Sequence, residues 1–279
     1  MPVYHTPAGR VEMLEWGAGE ELWLLLHAAA AGPNSLSGLA AALAAPGRRI
    51  VAPALHLYGQ TRIEAAGDRI DHHVAVARAC LDILPAARRV VFGHSMGGLV
   101  GVLTAMAGAS IDRLVLYDPI VVGCLDPDDP QDMACRDWDR AILAKFDALV
   151  AAGQVEAGVA CFVEAWNEVA WDRLPASARA RLIAAAPTLA AEVRDGSHRA
   201  MVGAGPGAIG AAMLILQGAA SPPITHRMTA RLHAMVAGSR RVVLTDCGHM
   251  APVGQPVRVA GAICSALDPT RSPPPVSQP

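Results

Sequence analysis

The sequence predicts an α/β fold, a mostly parallel sheet with helices on both faces and an inserted helical cap. Three observations predict it. Short continuous apolar runs, too apolar for strands with one wet face, alternate with segments of helical apolar spacing. The alternation stops near residue 131 and resumes near residue 213. Between those points only helical patterns occur, over a stretch too long for an ordinary loop.

Taken in order, residues 3–6 and 11–16 flank Pro7-Ala8-Gly9 and read as a hairpin. After Gly17-Ala18-Gly19, the run Leu22-Trp23-Leu24-Leu25-Leu26-His27 reads as a strand buried on both faces. A helix over 36–45, stopped by Pro46-Gly47, leads to a strand at 49–53. A helix over 70–84 ends at Pro85 and a strand follows at 89–93. Next come a helix over 99–109 and a strand at 114–117. The insert divides into about four helical pieces broken at Gly153, Pro175 and Pro187. Strands at 213–216 and 242–244 alternate with helices over 228–237 and 257–267. This gives a core of residues 1–122 and 208–268, a cap of 123–207, and a Pro-rich tail, 269–279, expected to be disordered.

Composition excludes several functions. The net charge of −2 and the lack of any Lys/Arg run argue against nucleic acid as a partner. No apolar stretch is long enough to span a bilayer, and the first ten residues lack the pattern of a signal peptide, so a cytoplasmic chain is expected. The cysteines at 80, 124, 135, 161, 247 and 264 show no Cys-x-x-Cys spacing and read as structural thiols. His72-His73 are adjacent in an expected helix, where they point apart, so no metal is expected. Gly203-Ala204-Gly205-Pro206-Gly207 has the composition of a phosphate loop, but Pro206 lacks an N–H and no Lys-Ser/Thr follows. It reads as a flexible connector, and no cofactor is expected.

The segment that carries chemistry is Gly93-His94-Ser95-Met96-Gly97-Gly98. It is G-x-S-x-G after a strand and before a helix, the context of a nucleophile elbow. A turn that tight exposes the Ser95 hydroxyl and requires small residues on either side, because strand and helix come too close for side chains. A serine needs a base to become a nucleophile. The candidate is His249, in Asp246-Cys247-Gly248-His249-Met250, on a loop at the carboxyl end of the last strand. Ser95 lies at that same sheet edge, where ligand sites of open α/β sheets occur.

Over nearly its whole length the chain resembles the α/β-hydrolase superfamily. Gly93-His94-Ser95-Met96-Gly97-Gly98 is similar to that family's elbow, and Gly248-His249-Met250-Ala251-Pro252 to its terminal Gly-His segment. Leu24-Leu25-Leu26-His27 resembles the strand before its oxyanion loop, and the helical insert resembles its cap. The resemblance implies an α/β-hydrolase sheet and oxyanion donors at the N–H groups of Ala29 and Met96. The substrate pocket is expected to be bordered by His27, Ala28 and Trp166, with His27 itself a structural hydrogen-bonder rather than an acid or base.

Three departures stand out. The family's oxyanion loop usually reads His-Gly, where this chain has His27-Ala28. The loop that commonly reads Asp-x-x-Gly-x-Gly-x-Ser is here Ala54-Leu55-His56-Leu57-Tyr58-Gly59-Gln60-Thr61, for which a plain loop role is expected. The usual acid, Gly-x-x-Asp, is replaced by Gly218-Ala219-Ala220-Ser221, and a neutral Ser cannot stabilise an imidazolium. Some members carry the acid one strand earlier, where this chain has Asp118. The order Ser95, Asp118, His249 preserves nucleophile, acid, base. Asp246 is the rival acid.

The expected function is a serine hydrolase that cleaves an ester, lactone or thioester of a small, fairly apolar substrate through an acyl-enzyme. The cap aromatics Trp138, Phe146, Phe162, Trp166 and Trp171 are expected mostly to pack the cap on itself, with one or two at the pocket. Carbon–carbon bond hydrolysis of ring-cleavage products, or ligand binding without catalysis on the same scaffold, are the alternatives. The partner expected is a small-molecule substrate, with no nucleic acid and no membrane, and a homodimer is left open.

Overall fold

The computed structural model describes residues 1–167, 169–201 and 205–267. The chain enters through a hairpin, β1 (Val3–Thr6) and β2 (Gly9–Gly17), with Val3 opposite Glu12. Next come β3 (Glu21–Leu26), α1 (Ser37–Leu43), β4 (Arg48–Pro53), β5 (Arg62–Ile63) and α2 (Arg69–Ile83). They are followed by β6 (Arg88–His94), α3 (Met96–Met106) and β7 (Arg113–Tyr117). Four helices then intervene: α4 (Pro130–Ala151), α5 (Val155–Trp166), α6 (Ala176–Ala184) and α7 (Ala186–His198). The sheet resumes with β8 (Ala212–Gly218), α8 (Pro223–Met235) and β9 (Arg240–Leu244), and the described chain closes with α9 (Ala251–Gly254) and α10 (Pro256–Leu267).

The strands form one sheet in the order β1-β2-β4-β3-β6-β7-β8-β9, with β5 paired to β2. From β4 to β9 every pairing is parallel, and the antiparallel pairings are those that β2 makes with β1, β4 and β5. Alternation along each strand divides the core in two. Leu22, Leu24 and Leu26 of β3 and Leu114 and Leu116 of β7 pack with Val76 and Cys80 of α2, Leu99 of α3 and Met228 of α8. Their neighbours Trp23, Leu25, Val115 and Tyr117 face the other way, against Leu39 and Leu43 of α1 and Val259 and Ile263 of α10. Both faces are dry, which is why these strands read as unbroken apolar runs rather than alternating ones.

The inserted helices have a small core of their own, Phe146, Val159, Val163, Trp171 and Leu189. Their first helix is fastened to the sheet domain by charge. Asp129 caps α4, and the fully buried Asp132 lies 2.5 Å from Arg227 Nε and 2.6 Å from Arg231 Nε, both on α8.

Several boundaries differ from expectation. Helix α3 begins at Met96, not at 99, because the turn at Ser95 feeds directly into the helix and close approach to the sheet outweighs the helix penalty of Gly97 and Gly98. Helix α8 starts at Pro223, where proline suits a first turn, rather than at 228. Pro187 does not break the insert but sits in the first turn of α7, and the break falls at Ala185. The short β5 and α9 carry no periodic pattern and were not foreseen. The expectations for residues 269–279 and for Gly203 and Ala204 fall outside the described residues. Among the described residues no helix is long and apolar enough to cross a membrane, and the six cysteines are free thiols.

Candidate active site

The parallel strands β6, β7, β8 and β9 lie side by side, and the site is built from residues that follow β6, β7 and β9. Ser95 follows β6 with φ 56 and ψ −117, a region that costs a non-glycine residue energy. The strain is held by the ladder. Ser95 N–H donates to Tyr117 O at 3.0 Å, and Ile120 N–H donates to Ser95 O at 3.1 Å. The elbow needs glycine for space: a Cβ on Gly97 would overlap the Leu26 carbonyl, and one on Gly93 would lie 2.7 Å from Gly98 Cα. Asp118 follows β7, also at positive φ (43), with its N–H donated to Leu216 O at 3.0 Å.

His249 arrives on the loop between β9 and α9. Tyr117 Oη donates to Gly248 O at 2.8 Å, and His94 Nε2–H donates to His249 O at 2.8 Å, so two buried rings fix that loop from below. Burial holds the His94 imidazole down at about 3, so it is neutral at working pH.

The three side chains meet. His249 Nε2 lies 3.0 Å from Ser95 Oγ, and His249 Nδ1 lies 3.2 Å from Asp118 Oδ2. Ser95 and His249 are buried, and Asp118 is fully so. The carboxylate has further donors: Ser221 Oγ–H at 2.6 Å on Oδ2 and Gly218 N–H at 3.4 Å on Oδ1. A carboxylate only accepts, so Nδ1 carries a proton and Nε2 of the neutral ring is left to accept from Ser95. Asp246, the rival acid, is placed elsewhere. Its side chain is 85% exposed and faces Arg258 at 3.5 Å, which removes it from any contact with a buried imidazole.

A cavity of about 380 Å³ opens above Ser95, between the sheet edge and the inserted helices. Ala28, Ala29 and Met96 line it, as do Phe162, Val163, Trp166, Leu189 and Val193 from the insert. The Trp166 ring stands 5.3 Å from that of His249. Phe146 and Trp171 pack inside the insert, and Trp138 stacks edge-on against Trp166. The lining is mainly apolar. Its charged members are Asp139, whose carboxyl burial pushes up, Glu192, and Arg181 on α6.

One expected pocket residue is corrected. His27 does not line the cavity. Its ring is fully buried beneath the loop, Nδ1–H donates to Ala28 O at 2.8 Å, and Nε2 accepts Leu55 N–H at 3.2 Å. Both ring nitrogens are used, and burial brings its pKa down to about 3, so it is a neutral brace for the loop. The residue in left-handed backbone is Ala30, at φ 56, so the turn is strained two residues beyond the Ala28 that replaces the usual glycine. Met96 opens α3, where its N–H has no intrahelical partner and the helix dipole favours negative charge. Sequence reasoning passed over Ser221 as a donor to Asp118 and Glu192 on the cavity wall. The acid beside Leu189 and Val193 of an apolar helix face was the sole hint for the latter.

The sheet order, the turn at Ser95 and the helices inserted after β7 define an α/β-hydrolase fold. The profile of the alpha/beta hydrolase family matches residues 18–262, and the chain belongs to that family. No curated protein matches it. Among solved structures it is similar to a hydrolase from Pseudomonas aeruginosa PA01, with a TM-score of 0.73 and 22% identity, over 95% of this chain and 97% of the other. An esterase from Exiguobacterium antarcticum gives 0.72 and 16%, over 95% and 98%. A carboxylesterase from Bacillus subtilis gives 0.69 and 17%, over 96% and 91%. At such identities the likeness is one of fold.

Proposed function

We propose that the chain is a serine hydrolase acting on the carbonyl of an ester, lactone or thioester in a small, mainly apolar substrate. The observation that carries the reading is the unbroken series from Ser95 Oγ through the His249 ring to the Asp118 carboxylate, 3.0 Å and 3.2 Å, at the floor of an apolar cavity. In this reading His249 Nε2 takes the Ser95 proton as Oγ attacks the carbonyl. Asp118 keeps Nδ1 protonated and offsets the positive charge that the ring gains. The N–H groups of Ala29 and Met96 hold the developing oxyanion, aided by the start of α3. His249 then passes its proton to the leaving group, and a water activated by the same nitrogen frees the acyl group from Ser95. No cofactor enters. The inserted helices act as the cap, keeping bulk water from the acyl-enzyme and supplying the apolar wall.

The test is labelling by a fluorophosphonate, comparing the native chain with Ser95→Ala and mapping the adduct by mass spectrometry. The expected result is one adduct at Ser95 that the variant lacks, followed by turnover of p-nitrophenyl esters. Folded protein that neither labels nor turns over any ester, lactone or thioester overturns the reading.

A further inference from the structure

Helix α7 presents one face to the start of α2. Glu192 and Asp195 stand along it at helical spacing, and Arg199 follows as its C-cap. Arg199 Nη2 reaches Asp68 at 2.5 Å and Asp71 at 3.0 Å, the two members of the capping box that opens α2. Asp195 accepts Arg69 N–H at 3.1 Å. Glu192 goes deeper and is 1% exposed. Its Oε1 lies 2.9 Å from His73 Nε2, and its Oε2 accepts from Tyr58 Oη at 2.8 Å.

The directions in this network are fixed. His73 Nδ1 accepts His56 N–H at 3.1 Å, so Nε2 of the neutral His73 ring bears the proton and donates to Glu192. Burial and the Glu192 charge keep the Tyr58 hydroxyl well above the usual tyrosine range, so it stays protonated. Its one proton goes to Glu192, and its oxygen accepts Ala30 N–H at 2.6 Å. Ala30 is the strained residue of the loop beside Ser95. Residues 28–31 are all alanine, so no glycine eases the left-handed turn, and something outside the loop must hold it. Tyr58 also sets its ring edge-on against His27, centroids 4.5 Å apart, the brace of the same loop.

We propose that Glu192 and Tyr58 are positioning residues: the carboxylate brought in by α7 orients the Tyr58 hydroxyl, which pins Ala30 N–H and so sets the turn that presents the Ala29 amide to the oxyanion. The catalytic consequence rests on the serine-hydrolase reading; the coupling of α7 to the loop does not. Seating of the cap helix and assembly of the oxyanion site are then one event. Without Glu192 in place, the Tyr58 proton has no acceptor there and the strained turn loses its outside hold.

The experiment compares the full chain with Tyr58→Phe, Glu192→Gln and the double variant, using p-nitrophenyl butyrate and amide hydrogen exchange of the segment 27–32. Tyr58→Phe lowers kcat about tenfold or more with KM within about twofold, as expected for a misplaced oxyanion donor rather than a damaged pocket. Glu192→Gln lowers kcat in the native background and adds nothing in the Tyr58→Phe background, because it acts through that hydroxyl. Exchange at 28–31 accelerates in both single variants. Unchanged exchange, native kcat in Tyr58→Phe, or an equal Glu192→Gln effect in both backgrounds overturns the proposal. If Tyr58→Phe does not fold, Glu192→Gln decides the matter through exchange alone. A native chain without esterase activity or fluorophosphonate labelling refutes the hydrolase reading instead, and the exchange comparison still decides the coupling.

Discussion

Replacing Asp118 by Asn tests the proposed acid with almost no change in shape. Asp118 Oδ2 takes two donors, His249 Nδ1–H at 3.2 Å and Ser221 Oγ–H at 2.6 Å, while Oδ1 takes Gly218 N–H at 3.4 Å. An amide has one oxygen. If that oxygen faces His249, the NH2 group confronts Gly218 N–H, donor against donor. If the amide turns over, its oxygen accepts from Gly218, Ser221 rotates to accept, and the NH2 group faces His249. Gly218 N–H and both hydrogens of the amide then meet acceptors, whereas the first placement sets two donors face to face, so the turned placement is favoured. It forces Nδ1 to accept and puts the imidazole proton on Nε2, 3.0 Å from Ser95 Oγ, where the ring can no longer act as a base. The expected loss in kcat/KM is about 10³- to 10⁴-fold, or roughly 4 to 5.5 kcal/mol of transition-state stabilisation. The assay is hydrolysis of p-nitrophenyl butyrate at pH 7.5, with Ser95→Ala as the background and circular dichroism to establish folding. A folded Asp118→Asn protein within tenfold of native activity refutes the assignment of Asp118.

Other outcomes follow from burial. His27 and His94 are held neutral, with native values of about 3 against 6.5 for the free ring, so below pH 6.5 the unfolded chain binds protons that the native one does not. Their contribution is intact above pH 6.5 and declines as pH falls toward 3, by of order 2 kcal/mol each at pH 5; denaturant unfolding at pH 7.5 and pH 5 measures it, and equal stability at the two would contradict it. The thiols of Cys80 and Cys124 are pushed up to about 12 by burial, so iodoacetamide at pH 8 leaves both unmodified in native protein, as peptide mapping would check. Trp166 forms cavity wall beside His249, and Trp166→Leu raises KM for butyrate and longer esters by about tenfold while sparing acetate. A uniform change across acetate to octanoate would show that Trp166 does not select for chain length.

What could be read from the sequence was what local pattern encodes. Strands buried on both faces announce themselves as apolar runs such as Leu22–Leu26 in β3, and the elbow announces itself because only small residues fit between β6 and α3. Asp118 could be singled out because no acid stands near Ser221. What it lies against depends on register between β7 and β8, which no local pattern records. His27 shows the limit most clearly. A histidine after an apolar strand points equally well to a pocket or to a buried brace, and Leu55 N–H and Ala28 O decide for the brace. The pair Tyr58 and Glu192 lies 134 residues apart and is joined by how the inserted helix docks, so no local pattern records their contact, and an acid on the apolar face of α7 is the one trace that Glu192 leaves.

The site's departure from the family pattern is smaller in space than in sequence. Strands β7 and β8 are parallel neighbours with Tyr117 opposite Leu216, so their ends lie at one level of the sheet edge. Asp118 at the end of one and Ser221 just past the end of the other meet at 2.6 Å, on the same carboxylate oxygen that faces His249. A carboxylate from either strand end can therefore serve one imidazole. Supplying it from β7 requires the chain to turn sharply at Asp118, and the positive φ of 43 there matches the 56 of Ser95 one strand away. Each bend is held by an N–H donated to the neighbouring strand, Ser95 to Tyr117 and Asp118 to Leu216, at 3.0 Å in both cases. The hydroxyl left at 221 then becomes useful, since it satisfies a lone pair on Asp118 that would otherwise be buried without a partner. In the proposed reading the acid comes from β7, and it needs one strained residue, Asp118 itself, and one serine, Ser221, beside it.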